Sequence, residues 1–355
     1  MSLVLTRLQD LRANSVLDKN MVRPNQFGAL DFFISQQGSL VDSAKKDEIF
    51  RSVGRGVQLP VLDYNGNVQV ATSRSCTVAD AANTSKLFEV TFLTYQVGVS
   101  MVPTEYLNNE IGYQKDFERK MLDAIRALRN KLDQDALTAI AAAKTQVWGD
   151  KIGYTVTGNS VQVPFEGRMD ILGDIDPLMS ANGFNNKISV IGNYGIDALV
   201  RKLAQLGPDN AINKKLEYAG KDFFTTINLS NASGKYGTFY AVENGNVDIL
   251  TRVDREALVN GKANGHEWTT AFLPGLDIPV GIHFYTEVGD KSEIGGAATA
   301  DMTCVRSEKW GISLEVAFIT AYNSAPATKA NPVIMAEIAT GAGTGVPVQV
   351  TNPSA

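Results

Sequence analysis

The chain has 355 residues, of which 44% are hydrophobic and 20% charged, with a formal net charge of −5, two cysteines and two histidines. A chain longer than the roughly 250–300 residues at which one core stops growing builds two or more packed regions, and this balance is that of a folded protein rather than a disordered one. The negative charge excludes a dedicated nucleic-acid or anionic-membrane surface, and Arg7, Arg12, Lys19 and Arg23 are offset too closely by Asp10 and Asp18 to hold phosphate.

Cys76 and Cys304 lie far apart, so a disulfide framework is not indicated, a reducing compartment fits, and a single bridge stays open. The opening MSLVLTRLQD is broken by Arg7 and Asp10 before an apolar region of signal length forms, and no run of ~18 apolar residues follows, so neither a leader nor a membrane span is expected.

Residues 1–47 read as an arm with one or two short helices, interrupted at Pro24 and Gly28. From Arg51 the apolar period becomes two. Val57, Leu59 and Val61 alternate toward an Asn65-Gly66 turn, and Val68, Val70 and Thr72 return, the pattern of a long two-stranded ribbon. Such a ribbon either packs on its own domain or reaches to a neighbour. Lys86–Val102 reads as one strongly β-rich strand ending at Pro103.

Tyr113–Thr145 contains neither Gly nor Pro and predicts one long helix, roughly 50 Å at ~1.5 Å per residue. Phe117, Met121, Ile125, Leu128, Leu132, Ala136, Ala139 and Ala143 recur at three or four, giving one narrow apolar stripe. Lys115, Asp116, Arg119, Lys120, Asp123, Arg126, Arg129, Lys131, Asp133 and Asp135 alternate in sign on the other face, as a solvated surface or a polar subunit contact does. The stripe fades into alanines, so a coiled coil is disfavoured and a rigid strut is the alternative.

Beyond the helix, Tyr154–Thr157 and Ser160–Val163 flank a Gly158-Asn159 hairpin turn. Asp176-Pro177 signals the start of a short helix that Gly183 ends. Lys187–Ile191 is a short buried strand, and Ile196–Leu206 is an amphipathic helix stopped by Gly207-Pro208. Strands are expected at Phe239–Val242 and Val247–Leu250 around Asn244-Gly245, a charged loop over Asp254–Glu267, and a strand at Ile278–Tyr285. Lys291–Ala300 reads as a small-residue loop. Late strands at Thr303–Arg306, Ile312–Tyr322 and Pro332–Ile338 return to the sheet around the first helix, and a Gly/Pro/Val tail starts at Thr340.

Catalytic chemistry is poorly supplied. His266 and His283 are the only histidines, each best read as structural, and Gly311-Ile-Ser313-Leu-Glu315 lacks the second glycine of a nucleophile elbow. No His or Cys pair has ligand spacing, and Asp63-Tyr-Asn65-Gly-Asn67 fails as a calcium loop at Val68, where glycine is required. Gly341-Ala-Gly343-Thr-Gly345 has Pro347 close behind and no room for the helix a nucleotide loop needs. Asp170, Asp174 and Asp176 are the one dense carboxylate group, read as exposed acids near a helix start, with a hydrolase as the competing reading. No catalytic residue, cofactor or metal site is expected.

The run TFLTYQVGVSMVPTEYLNNE (91–110) leading into FERKMLDAIRALRNKLDQDAL (117–137) resembles the strand and spine helix of the major capsid proteins of tailed bacteriophages, the Hong Kong 97-type fold shared with herpesvirus capsids and encapsulins. DILGDIDPLMSANGFNNKISVIGNYGIDALVRKLAQL (170–206) resembles that family's axial-domain helix, strand and second helix, and 54–85 its extended loop. The resemblance implies an α+β fold with an arm at 1–47, an extended hairpin loop at 48–88, a peripheral domain at 89–163 and 305–340, an axial domain at 164–304, and a tail at 341–355. It implies assembly through Val57, Leu59, Val61, Asn65, Gly66, Val68 and Val70, with Phe117, Met121, Ile125, Leu128 and Leu132 as the spine's apolar face. It further implies self-association into hexamers and pentamers of an icosahedral virion shell, assembled in the bacterial cytoplasm around double-stranded DNA held without specific contacts and without a membrane. Its partners are then a portal, decoration proteins, and a separate scaffolding protein or none. No lysine stands between Arg51 and Ser85, so lysine–asparagine cross-linking from this loop is not expected. An encapsulin compartment is the nearest rival, and the hydrolase reading of Asp170 the rival of another class.

Overall fold

The computed structural model describes residues 27–52, 56–62, 85–106, 112–144, 153–158, 160–181, 184–206, 217–218, 220–273, 275–289, 305–320 and 332–341. Two sheets meet across one long helix. The elements in chain order are α1 (Gly28–Ser35), α2 (Ser43–Arg51), β1 (Val57–Leu62), β2 (Ser85–Val90), β3 (Leu93–Met101), α3 (Tyr113–Ala143), β4 (Thr155–Thr157), β5 (Ser160–Val163), α4 (Ile171–Ala181), β6 (Ile188–Gly192), α5 (Tyr194–Leu206), β7 (Glu217–Tyr218), β8 (Lys221–Thr225), β9 (Lys235–Glu243), β10 (Val247–Arg252), α6 (Arg255–Leu258), β11 (Lys262–Ala263), β12 (His266–Leu273), β13 (Leu276–Gly289), β14 (Val305–Thr320) and β15 (Val333–Ala339).

Helix α3 is 31 residues long, ending two short of the sequence expectation. Phe117, Met121, Ile125, Leu128, Leu132 and Ala136 are buried in the main core, while Ala139 is half-buried against it. The narrow stripe is corrected, because Leu122, Ala124, Leu137 and Ile140 are buried too. So is the solvated charged face: Asp116, Arg129 and Asp133 lie inside. The reason is that α3 is covered from several sides, by α1, by β3 and β14, and by Tyr240, Val242 and Val333 of the second sheet.

Buried charges need partners, and these have them. The Asp133 carboxylate accepts the Ala29 and Leu30 N–H groups on Oδ1 at 2.9 and 3.0 Å. Its Oδ2 accepts from Thr226 Oγ1 at 2.5 Å and Asn228 Nδ2 at 2.8 Å. Two of those donors are free amides of the first turn of α1, so the spine's side chain caps another helix. Burial raises the Asp133 carboxyl above its ordinary value, against the pull of its hydrogen bonds to Thr226 and Asn228. One turn earlier, Arg129 pairs with Asp31 of α1 at 2.8 Å and lies 5.2 Å from the Phe27 ring centre. The expectation of a detached arm through residue 47 therefore fails over 27–41: Phe27, Leu30, Phe32 and Phe33 are core residues, and Gly28 sits where a Cβ would meet the Thr225 backbone at 2.7 Å.

The six-stranded sheet runs β10-β14-β13-β12-β11, with β3 on β14 as well. Strand β14 is one continuous strand of 16 residues, not the two expected on either side of Gly311. Its first part pairs with β13, its last part with β10, and Glu308–Val316 with β3, so neighbours hold it extended through the glycine. Strand β12 starts inside the stretch expected as a charged loop, because cross-strand pairing to β13 decides it. The expected single strand over 86–102 is broken at Thr91-Phe92, since β2 pairs with β1 whereas β3 joins β14.

The seven-stranded sheet runs β4-β5-β15-β9-β6-β8-β7. One face packs on α4 and α5 in a second core that includes Ile171, Ile175, Leu199, Val200 and Val190. Helix α4 starts at Ile171 with Pro177 inside it, so the Asp176-Pro177 start is corrected. The proline removes one amide bond, and burial of Ile171, Leu172, Ile175, Leu178 and Met179 on both sides of it outweighs that loss. The turn at Asn244-Gly245, with Gly245 at φ +90°, carries the chain from β9 in this sheet to β10 in the other. The expected division at 164–304 and 305–340 thus runs across both sheets. Strands β10 to β13 pair on toward β14, and β15 lies between β5 and β9 rather than beside the first helix's sheet.

Truncating Leu132, which is fully buried, to alanine should cost about 2–5 kcal/mol in chemical denaturation, whereas Lys131→Ala on the exposed side should stay within about 0.5 kcal/mol. Asp133→Ala strands buried donors in α1 and should cost about 3 kcal/mol or more, measured the same way.

Candidate assembly surface

The hairpin β1–β2 stands on a small third core. Val57, Leu59 and Val90 pack with Val41, Ile49, Leu250, Ala317 and Ile319, on the face of β10 and β14 that is turned away from α3. Antiparallel register sets Val57 opposite Val90 and Leu59 opposite Phe88; Val57, Leu59 and Val90 face inward, while Phe88 on the same side is 37% exposed. On the other face Gln58, Pro60, Leu87 and Glu89 are exposed, Leu87 by 68%.

A buried carboxylate fixes the platform under the hairpin. Asp248 of β10 is inaccessible, and its oxygens accept from the Gly38, Leu40 and Val41 amides at 3.2, 3.2 and 3.0 Å and from Lys46 Nζ at 2.5 Å. The turn after α1 and helix α2 are thereby clamped to the sheet edge from which the hairpin leaves. Arg252 adds an ion pair to Glu315 and places its guanidinium 4.0 Å from the Phe92 ring centre, at the break between β2 and β3. A cavity of about 510 Å³ opens beside α2, with Ile49, Phe50, Leu250, Phe272 and Pro279 in its wall.

The residues expected to make assembly contacts divide in two. Val57 and Leu59 are 7% and 9% exposed and pack in the chain's own core. Among the described residues their partner strand is Ser85–Val90. Asn65, Gly66, Val68 and Val70 lie outside the described residues, as does the Val61 side chain, and so do Cys76, Cys304 and the glycine run after Gly341. The outward residues Pro60 and Leu87 were missed. Only pairing with 85–90 tells which alternate positions face out, and no local signal carries that.

Of the three acids, Asp174 accepts from Tyr154 at 2.7 Å and Asp176 pairs with the buried Lys221 at 2.7 Å; burial, the Asp174 contact and the nearby charge of Asp170 together push the Tyr154 hydroxyl up. Elsewhere, Tyr106 donates to Asp116 at 2.5 Å; this bond lowers the Asp116 carboxyl, while burial together with the same contact pushes the Tyr106 hydroxyl up to about 12. His266 and His283, distant in sequence, stand side by side on β12 and β13. Among the described residues no helix is long and apolar enough to cross a membrane, and no group of three or more His, Cys, Asp or Glu gathers as a metal cage.

No family model matches this chain, and no curated protein matches it. Solved structures do. A chain from Microbacterium phage Oxtober96 is 14% identical, with 92% of this chain and 98% of that one covered and a TM-score of 0.49. One from Mycobacterium phage Adephagia is 10% identical over 91% and 94%, with a TM-score of 0.48. The capsid asymmetric unit of cyanophage Pam1 contributes a third, 11% identical over 91% and 94%, with a TM-score of 0.47.

Replacing Asp248 by alanine removes the ion-pair partner of Lys46 and the carboxylate that accepts from the Gly38, Leu40, Val41 and Ile249 amides. Unfolding free energy should fall by about 3–5 kcal/mol, and limited proteolysis should cut faster between residues 36 and 56 than elsewhere.

Proposed function

We propose that this protein is the subunit of an icosahedral viral shell, a major capsid protein that associates with itself into hexamers and pentamers around double-stranded DNA. The observation that carries the reading is the rooted hairpin. Its inner face is anchored in the chain's own core, its outer face presents Leu87 and Pro60, and residues 63–84 are inserted at its far end. A hairpin serving only its own domain has no need of an apolar outward face. The spine helix supports the same reading: shell subunits need a stiff strut that does not yield when neighbours bind, and α3 ties both sheets into one body. The resemblance of 91–110 and 117–137 to capsid proteins agrees with this arrangement. Residues 164–243 with β15 then form the unit nearest the capsomer axis, and the β3–β14 sheet with α3 the peripheral unit. Scaffolding, portal and decoration proteins are the further partners, and the virion is the location. The separate partners of Asp174 and Asp176 weigh against the hydrolase reading.

Light scattering and negative-stain microscopy of the purified protein, alone and with candidate scaffolding proteins, should show uniform hollow shells or capsomer-sized rings; a stable monomer or dimer under every condition would overturn the proposal. Exchanging 63–84 for a short Gly/Ser linker, with β1 and β2 kept, should leave the melting temperature of the subunit near that of the parent and abolish shells. Normal shells from that variant would remove the inserted segment from the assembly mechanism.

A further inference from the structure

The only two histidines of the chain meet on the outward face of β12 and β13. His266 is opposite Tyr285 and Trp268 is opposite His283 in the antiparallel register, so four ring side chains occupy two adjacent rows. Nδ1 of His266 and Nε2 of His283 are 2.8 Å apart, with centroids at 5.1 Å and planes within 15°. This sets the rings edge to edge, each in-plane nitrogen aimed at the other. Trp268 lies parallel to His283, 2° from its plane with centroids 4.7 Å apart, and Tyr285 flanks His266 at 4.9 Å. Beyond His283 the next two positions of the row are Gly311 and Gly98, and the Gln96 side-chain amide lies over Gly311. All four rings are half-buried.

From this geometry we infer that His266 and His283 form a binding site for a borderline divalent cation, Cu²⁺, Ni²⁺ or Zn²⁺, that goes beyond the shell function and stands independently of it. Two imidazole nitrogens about 2.0–2.1 Å from one ion at tetragonal or tetrahedral angles are about 2.9–3.3 Å apart, close to the spacing already present. Binding needs each ring to turn by about 35–45°, so that the two lone pairs converge on the ion instead of on each other. In the neutral pair one ring donates its N–H to the other; on metallation that proton moves to the outer nitrogen of its own ring, and no proton is released. Since no third His, Cys, Asp or Glu joins them among the described residues, water completes the coordination. Copper binds most tightly of the three by the usual order of divalent affinities.

The test uses the full chain without a histidine tag. Titration calorimetry with CuCl₂, NiCl₂ and ZnCl₂ should find one site per chain, and Cu²⁺ should quench the fluorescence of Trp268, which stacks on a ligand ring. His266→Gln and His283→Gln should each lose at least the roughly 10–100-fold that outer-shell partners alone are worth. Trp268→Phe should keep the calorimetric site and lose the quench. Electron paramagnetic resonance of the Cu²⁺ complex, which needs no variant, should show hyperfine coupling to two imidazole nitrogens. Isotherms unchanged in the double glutamine variant, or coupling to fewer than two imidazoles, would overturn the assignment.

Discussion

The arrangement depends on burying one long helix between two sheets that do not otherwise form a common layer. Helix α3 contributes Phe117, Met121, Ile125, Leu128, Leu132 and Ala136 to a core that also takes in β3, β10, β12, β13, β14 and the inner face of β9. At the order of 1.5–3 kcal/mol for each large apolar side chain fully buried, that row alone outweighs the cost of enclosing the three charges carried on the same helix. The charges are not incidental. Asp133 receives the amide end of α1 and the 226–228 turn after β8, while Arg129 answers Asp31, so the helix fixes the angle at which the N-terminal segment and the second sheet approach it.

A second buried carboxylate repeats the device at the other side of the six-stranded sheet. Asp248 gathers the turn after α1 and the lysine of α2, and the third core of Val57, Leu59 and Val90 is built on the surface so made. Rigidity is thereby passed from α3 through β14 and β10 to the root of the hairpin. A subunit that makes many weak contacts with identical neighbours benefits from this, because side chains held in place lose less entropy when they are covered.

The histidine pair and the acidic group show how residues of similar chemical promise diverge once folded. Asp174 and Asp176 are two residues apart yet turn to different partners, a tyrosine and a buried lysine. His266 and His283 are 17 residues apart and end with ring nitrogens in contact, because an antiparallel register brings alternate residues of two strands to one face. Proximity along the chain was a poor guide in both cases.

Much of the layout was legible in the residues themselves. The span of α3, the Gly158 hairpin, the buried strand at 188–192 and the amphipathic helix at 194–206 all follow from local periodicity and turn chemistry, which act within a few residues. What the tertiary structure decided is which surfaces meet. Asp116, Arg129 and Asp133 look solvated in any linear reading and are buried because other elements close over them. Val57 and Leu59 alternate as an exposed ribbon would, yet face inward because Val41, Ile49, Leu250, Ala317 and Ile319 form a core beneath them. Pairing, register and layer order are set by contacts between residues tens to hundreds of positions apart, and a single sequence carries no local mark of those contacts.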